Sequence, residues 1–259
     1  MQAVMHSDMK LPQPLIPGRL LRRYKRFLAD VELEDSGEVI TASTPNTGSM
    51  LSLLDAGNRV WLSVSDDPKR KYRHRWELVE VNGPAGKALV GVNTSLPNAL
   101  VAEAIAAGIV APLGQPANIR REVRFGEENS RADLLLEYDE DDAPPVFIEV
   151  KNVTLSRRAG VAEFPDAVTK RGAKHLRELA RVAQGGDARA AMIYLCQRTD
   201  AEVCTLAEDL DADYVDEWRR ARDAGVMMLA LGCDITPAEQ PAEVLATRML
   251  PMHDPRELA

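Results

Sequence analysis

The sequence has no apolar run near the ~20 residues that a membrane-spanning helix requires, which argues against a bilayer span. Its opening, Met1 to Lys10, lacks the apolar core of a secretory leader, and residues 1–14 are read as a flexible N-terminal extension. Cysteine is scarce. Cys196, Cys204 and Cys233 are odd in number and match no zinc spacing, so they are expected as buried, reduced thiols of a cytoplasmic protein. The four histidines show no paired ligand spacing, which argues against zinc; His175 is read as an ordinary surface or half-buried residue. Internal repeats and low-complexity segments are absent too.

What is present is an ordinary globular composition in 259 residues, enough for two domains. The formal charge of −8 is uneven: residues 15–95 carry +2 and residues 96–259 carry −10. The basic residues of the first part cluster around Arg19–Arg26 and Lys69–Arg75. A local basic surface can bind phosphate even on an acidic protein. Lys69, Arg70 and Lys71 are interleaved with Tyr72 and Trp76, so this cluster reads either as a solvated loop or as a phosphate-tracking loop with aromatic stacking. Arg22 and Arg23, near Tyr24, carry the same two readings.

Residues 15–95 predict short strands separated by turns: Arg26–Leu33, Glu38–Ala42, Val60–Val64, Trp76–Val81 and Ala88–Val92. Five strands in so short a stretch predict a small barrel of the OB-fold kind. The intervening "PNTGSM" (Pro45–Met50) lacks the features of a phosphate loop and reads as a tight turn or a seam between domains. From residue 96 the pattern changes. A helix is expected within Ser95–Val110, strands at Glu122–Phe125, Ala132–Tyr138 and Val146–Val153, a helix at Thr169–Gln184, a strand at Ala190–Gln197, a helix at Asp211–Ala224 and a strand at Val226–Leu231. That order predicts an α/β domain over 96–240, a mixed sheet flanked by helices, with 241–259 left as a tail.

The strand Phe147–Leu155 carries Glu149 and Lys151 two residues apart, hence on one face. An edge strand with a solvated ion pair would account for them. Asp133, at the start of the preceding strand, adds a second account. If the two strands pair through the acidic turn Asp139–Asp142, Asp133 and Glu149 lie side by side, and two adjoining carboxylates repel. A divalent cation relieves that repulsion; Mg²⁺ takes one or two carboxylates and keeps waters and phosphate oxygens. Lys151 would orient a metal-bound water or offset charge on the phosphate. Ahead of the second helix, Asp166 or Thr169 is expected as its N-cap. Its positive end, through Thr169, Arg171 and Lys174, is a candidate phosphate contact.

Asp133, Glu149 and Lys151 match the signature of the PD-(D/E)xK nuclease superfamily, which the α-β-β-β-α-β order also resembles. Members often place a further acid on the first helix, which here singles out Glu103 as a third metal ligand. The longer matches are narrower. "IEVKNVTL" (Ile148–Leu155), "FPDAVTKRGAKHLRELARVA" (Phe164–Ala183), "PNTGSM", "PKRKY" (Pro68–Tyr72), "VNTSLPNALVAEAI" (Val92–Ile105) and "DAGVMMLALGCDITP" (Asp223–Pro237) resemble the sugar fermentation stimulation protein A family. The resemblance implies a bacterial or archaeal cytoplasmic protein with an N-terminal OB-fold, a nuclease-like C-terminal domain and DNA as partner, with no membrane role. The expected activity is Mg²⁺- or Mn²⁺-dependent phosphodiester cleavage on DNA, including single-stranded, branched or hybrid forms. The alternative is a non-catalytic DNA-binding regulator of sugar metabolism genes that keeps the fold. A homodimer is compatible with nuclease-like folds. One departure stands out: the family usually carries His-Cys before Pro-Asn-Thr-Gly, where this chain has Ser43 and Thr44.

Overall fold

The computed structural model describes residues 11, 14–126, 130–139, 144–237 and 242–258. The first sheet contains β1 (Leu15–Tyr24), β2 (Leu28–Leu33), β3 (Val39–Ser43), β4 (Arg59–Val64), β5 (His74–Gly83) and β6 (Gly86–Gly91). Its order is β3-β2-β1-β4-β5-β6, and a short parallel pairing of β3 with β5 closes it into a barrel. The barrel has six strands rather than the expected five. β1 escapes pattern reading because Pro17 and Gly18 interrupt its start and arginines line its outer face. Gly18 is required there: a Cβ would lie 2.5 Å from Val31 Cγ1. Leu20, Val31, Leu62, Trp76 and Val79 fill the interior, and Met50 and Leu53 plug it from the turn after β3.

The second sheet follows α1 (Pro97–Ala106) and comprises β7 (Asn118–Phe125), β8 (Ser130–Glu137), β9 (Val146–Val153), β12 (Arg189–Cys196), β14 (Met227–Thr236) and β15 (Glu243–Leu250). Its order is β15-β14-β12-β9-β8-β7. β7, β8 and β9 run antiparallel in sequence, whereas β9, β12 and β14 are parallel neighbours. One face packs on α1 through Leu100, Val101, Leu134, Ile148 and Ile193. The other packs on α2 (Lys170–Gly185) and α3 (Ala212–Asp223) through Leu176, Leu179, Tyr194, Tyr214 and Trp218. A small sheet of β10 (Leu155–Arg158), β11 (Val161–Phe164) and β13 (Val203–Leu206) lies beside it. No helix among the described residues is long and apolar enough to cross a membrane.

Two expectations change. The stretch from 241, read as a tail, contains β15, which pairs antiparallel with β14 over Glu243–Leu250. And β9 is no edge strand: β8 and β12 flank it. The three cysteines are free and buried, as expected. Most of the acidic turn 139–142 lies outside the described residues.

Candidate metal centre and nucleic-acid interface

β9 alternates as its sequence dictates. Ile148 and Val150 enter the core beneath α1, so Glu149 and Lys151 emerge on the α2 side. The β8–β9 ladder stops at Leu134↔Ile148. Past it, Asp133 replaces the missing strand: its Oδ2 accepts from the Val150 backbone N–H at 2.7 Å, and its Oδ1 accepts from Asn98 Nδ2 at 2.8 Å. Burial raises the Asp133 carboxyl to about 6, and the neighbouring Glu149 charge adds to the rise; the two hydrogen bonds only partly oppose it. The two acids thus lie within range of each other's charge, just past the end of the β8–β9 ladder.

Glu149 is only 4% exposed. Burial is the largest influence on its carboxyl and pushes it up, but the His175 hydrogen bond and the Lys151 charge outweigh it and hold the group below the usual range. Lys151 Nζ donates to Glu149 Oε1 at 2.6 Å. His175 Nδ1 bonds the same oxygen. Glu149 Oε2, by contrast, is buried without a hydrogen-bond partner. A buried carboxylate oxygen left alone is costly, and a cation would satisfy it. Asp133 and Glu149 therefore fit a hard divalent ion as a two-carboxylate pair.

Glu103 does not complete that pair. It follows Asn98 by five positions, which turns it about 140° around α1 from the side chain that reaches Asp133. Among the described residues no third His, Cys, Asp or Glu joins a metal-holding cluster. Sequence reading also missed two residues of the site. Asn98 lies in the first turn of α1, and His175 is buried. The signal for His175 was its place on the apolar stripe of α2 beside Gly172, Leu176 and Leu179.

α2 begins as expected from Thr169, whose Oγ1 accepts from Gly172 N at 3.1 Å. Asp166 is not its cap; instead its Oδ2 accepts from Met50 N at 2.9 Å and its carbonyl from Ser49 Oγ at 2.8 Å. The turn 45–50 is therefore a seam to the second domain. Arg171 is exposed and donates from Nε to His175 Nε2 at 3.4 Å. Lys174, one turn on, is partly buried.

On the barrel, Lys69, Arg70 and Lys71 are exposed, and Lys71 lies over the Tyr72 ring at 5.5 Å. Trp76 cannot stack on a base. It is fully buried, and its indole N–H donates to Leu78 O. Arg22 is exposed but paired with Asp30 at 2.8 Å. Arg23 turns inward and donates to four carbonyls, those of Arg26, Asn46, Gly48 and Ser49. It is a clamp on the turn 45–50, not a free phosphate contact. The exposed tip is instead Lys25-Arg26-Phe27. Lys25 and Arg26 have φ of 50° and 63° and turn the β1–β2 hairpin, and Phe27 is 49% exposed.

Residues 21–92 match the family described as "SfsA N-terminal OB domain", and residues 95–239 match "Sugar fermentation stimulation protein RE domain". The chain belongs to the sugar fermentation stimulation protein family. A homolog of that description from Jannaschia sp. is 53% identical over 229 residues, covering 88% of this chain and 92% of the relative. Another, from Chelativorans sp., is 55% identical over 228 residues, covering 88% and 94%. A solved structure, "The structure of Pyrococcus Furiosus SfsA in complex with Ca2+", superposes with a TM-score of 0.78 at 24% identity, over 95% of this chain and 98% of that one. The likeness bears on fold alone. Just before the turn 45–50, Ser43 Oγ donates to His74 O at 3.2 Å, and the buried Thr44 hydroxyl has no hydrogen-bond partner among the described residues.

Proposed function

We propose that this chain binds DNA and hydrolyses phosphodiester bonds with a divalent cation, Mg²⁺ or Mn²⁺, held by Asp133 and Glu149. The carrying observation is Glu149 Oε2, buried and unpartnered, with Lys151 alongside and Asp133 close enough to feel the Glu149 charge where β8 and β9 part. The Ca²⁺ of the Pyrococcus furiosus structure supports a hard divalent ion. When bound, such an ion supplies an activated water and charge neutralisation at the phosphate. Asn98 and the Val150 amide orient Asp133. Lys151 and His175 fix one oxygen of Glu149. The Lys151 ammonium, bonded to Glu149, offsets negative charge that grows on the phosphate. Lys69, Arg70, Lys71 and the hairpin tip Lys25–Phe27 supply cations and π-faces for the strand. Localisation in the cytoplasm belongs to the same reading.

A second reading, DNA binding without cleavage, draws on the pairing of Lys151 with Glu149 and on the missing third ligand among the described residues. One assay separates the two. Parent protein, Asp133→Ala and Lys151→Ala are offered single-stranded, duplex, branched and hybrid substrates with Mg²⁺ or Mn²⁺. Cleavage by the parent and loss of about 10²-fold or more in both variants is expected. Binding by all three with cleavage by none would establish the non-catalytic reading.

A further inference from the structure

His175 does more than fill space. It is 5% exposed, stands one turn into α2 and bonds Glu149 Oε1 through Nδ1. Its other nitrogen, Nε2, accepts from Arg171. A carboxylate accepts and an arginine donates, so these partners assign the ring proton to Nδ1. Lys151 Nζ donates to the same Oε1. Two donors therefore fix one oxygen of Glu149, and the other, Oε2, is left buried with nothing bound to it.

We propose that His175 is a positioning residue of the cation site, holding Glu149 by Oε1 so that Oε2 stays available to the ion. The role rests on the two-carboxylate reading above. It is the usual task of residues just behind a metal ligand: they fix orientation, and their loss typically costs 10–100-fold in metal affinity. Lys151 alone cannot do it, because a flexible ammonium fixes distance rather than direction. The His175 ring is held by its own partners: the backbone of α2 places it, and Arg171 caps its far nitrogen.

The test is Mn²⁺ binding without nucleic acid, read as loss of the free-ion electron paramagnetic resonance signal. In His175→Leu the dissociation constant should rise about 10- to 100-fold. His175→Asn puts an amide donor where Nδ1 stands and should stay within about threefold of the parent; His175→Gln puts it nearer Nε2 and should not rescue. Equal affinity in the parent and the leucine variant overturns the role. If circular dichroism shows that His175→Leu does not fold, the asparagine–glutamine pair decides, and equal affinities there overturn it. Glu149→Gln separates the two layers. If it binds Mn²⁺ as the parent does, or if the parent binds none, the two-carboxylate reading falls and takes the role with it. If Glu149→Gln loses the ion while His175→Leu keeps it, only the role of His175 falls.

Discussion

Asp133 is a carboxylate in a place that favours its neutral form, because burial and the Glu149 charge both raise it, to about 6. In metal-free buffer the native state therefore holds this proton more tightly than the unfolded chain does. The contribution of this group to stability falls as pH rises from about 4 to about 6 and is flat above that. Asp133→Asn removes the slope. The Asn98 amide can flip to accept from the new NH₂ group while Val150 N keeps its acceptor. The variant should gain about 1–3 kcal/mol at pH 7 without metal, the gain vanishing near pH 4; thermal melts across that range check it. A variant no more stable than the parent at pH 7 would show that burial and the Glu149 charge do not raise the Asp133 carboxyl. The residues that strand alternation controls were legible in the sequence. Asp133, Glu149 and Lys151 follow from a period of two and one antiparallel pairing. Asn98 and His175 depend on how α1 and α2 approach the sheet, which no local pattern encodes. Arg23 was misread because a basic cluster shows charge but not direction.

At the scale of elements, the longer helices and central strands carried strong periodic patterns and appear close to where they were expected. β10, β11 and β13 were missed because four residues hold too few alternations to register. β15 was missed because its partner lies in β14, across a connection whose turn chemistry gave no hairpin signal. One carboxylate now links two helix starts. Asp211 caps α3 by accepting from Tyr214 N at 3.1 Å, and its second oxygen accepts from Thr169 N at 2.7 Å, the residue that caps α2. Thr169→Ala should cost about 1 kcal/mol, the usual value of one cap. Asp211→Ala should cost about 2 kcal/mol or more, because it disturbs both ends and leaves the Thr169 amide unpaired. Urea unfolding gives both numbers, and equal losses would mean that the two helix starts are uncoupled.

At the scale of the whole molecule, the acidic total hides exposed cations on the barrel, and the structure divides the expected ones into two kinds. Lys69, Arg70 and Lys71 are exposed, whereas Arg23 holds the turn 45–50 together. Replacing all three loop cations by alanine should weaken DNA binding and flatten its salt dependence by about two to three units of log–log slope, with the melting temperature unchanged. Arg23→Ala should do the reverse, losing about 1–3 kcal/mol of stability with little change in slope. Binding titrations at several salt concentrations, set beside thermal melts, distinguish the two. Beside the Asp166 seam, the junction between the halves has a backbone part. Gly91 N donates to Gln197 O at 2.9 Å, Thr199 N donates to Leu89 O at 3.1 Å, and Val90 bridges Arg198. Since β6 ends its sheet, these bonds sheathe a rim that barrel closure leaves open. Severed from the residues around 198, the N-terminal half would bare naked amides and carbonyls in a row, a template on which identical copies stack.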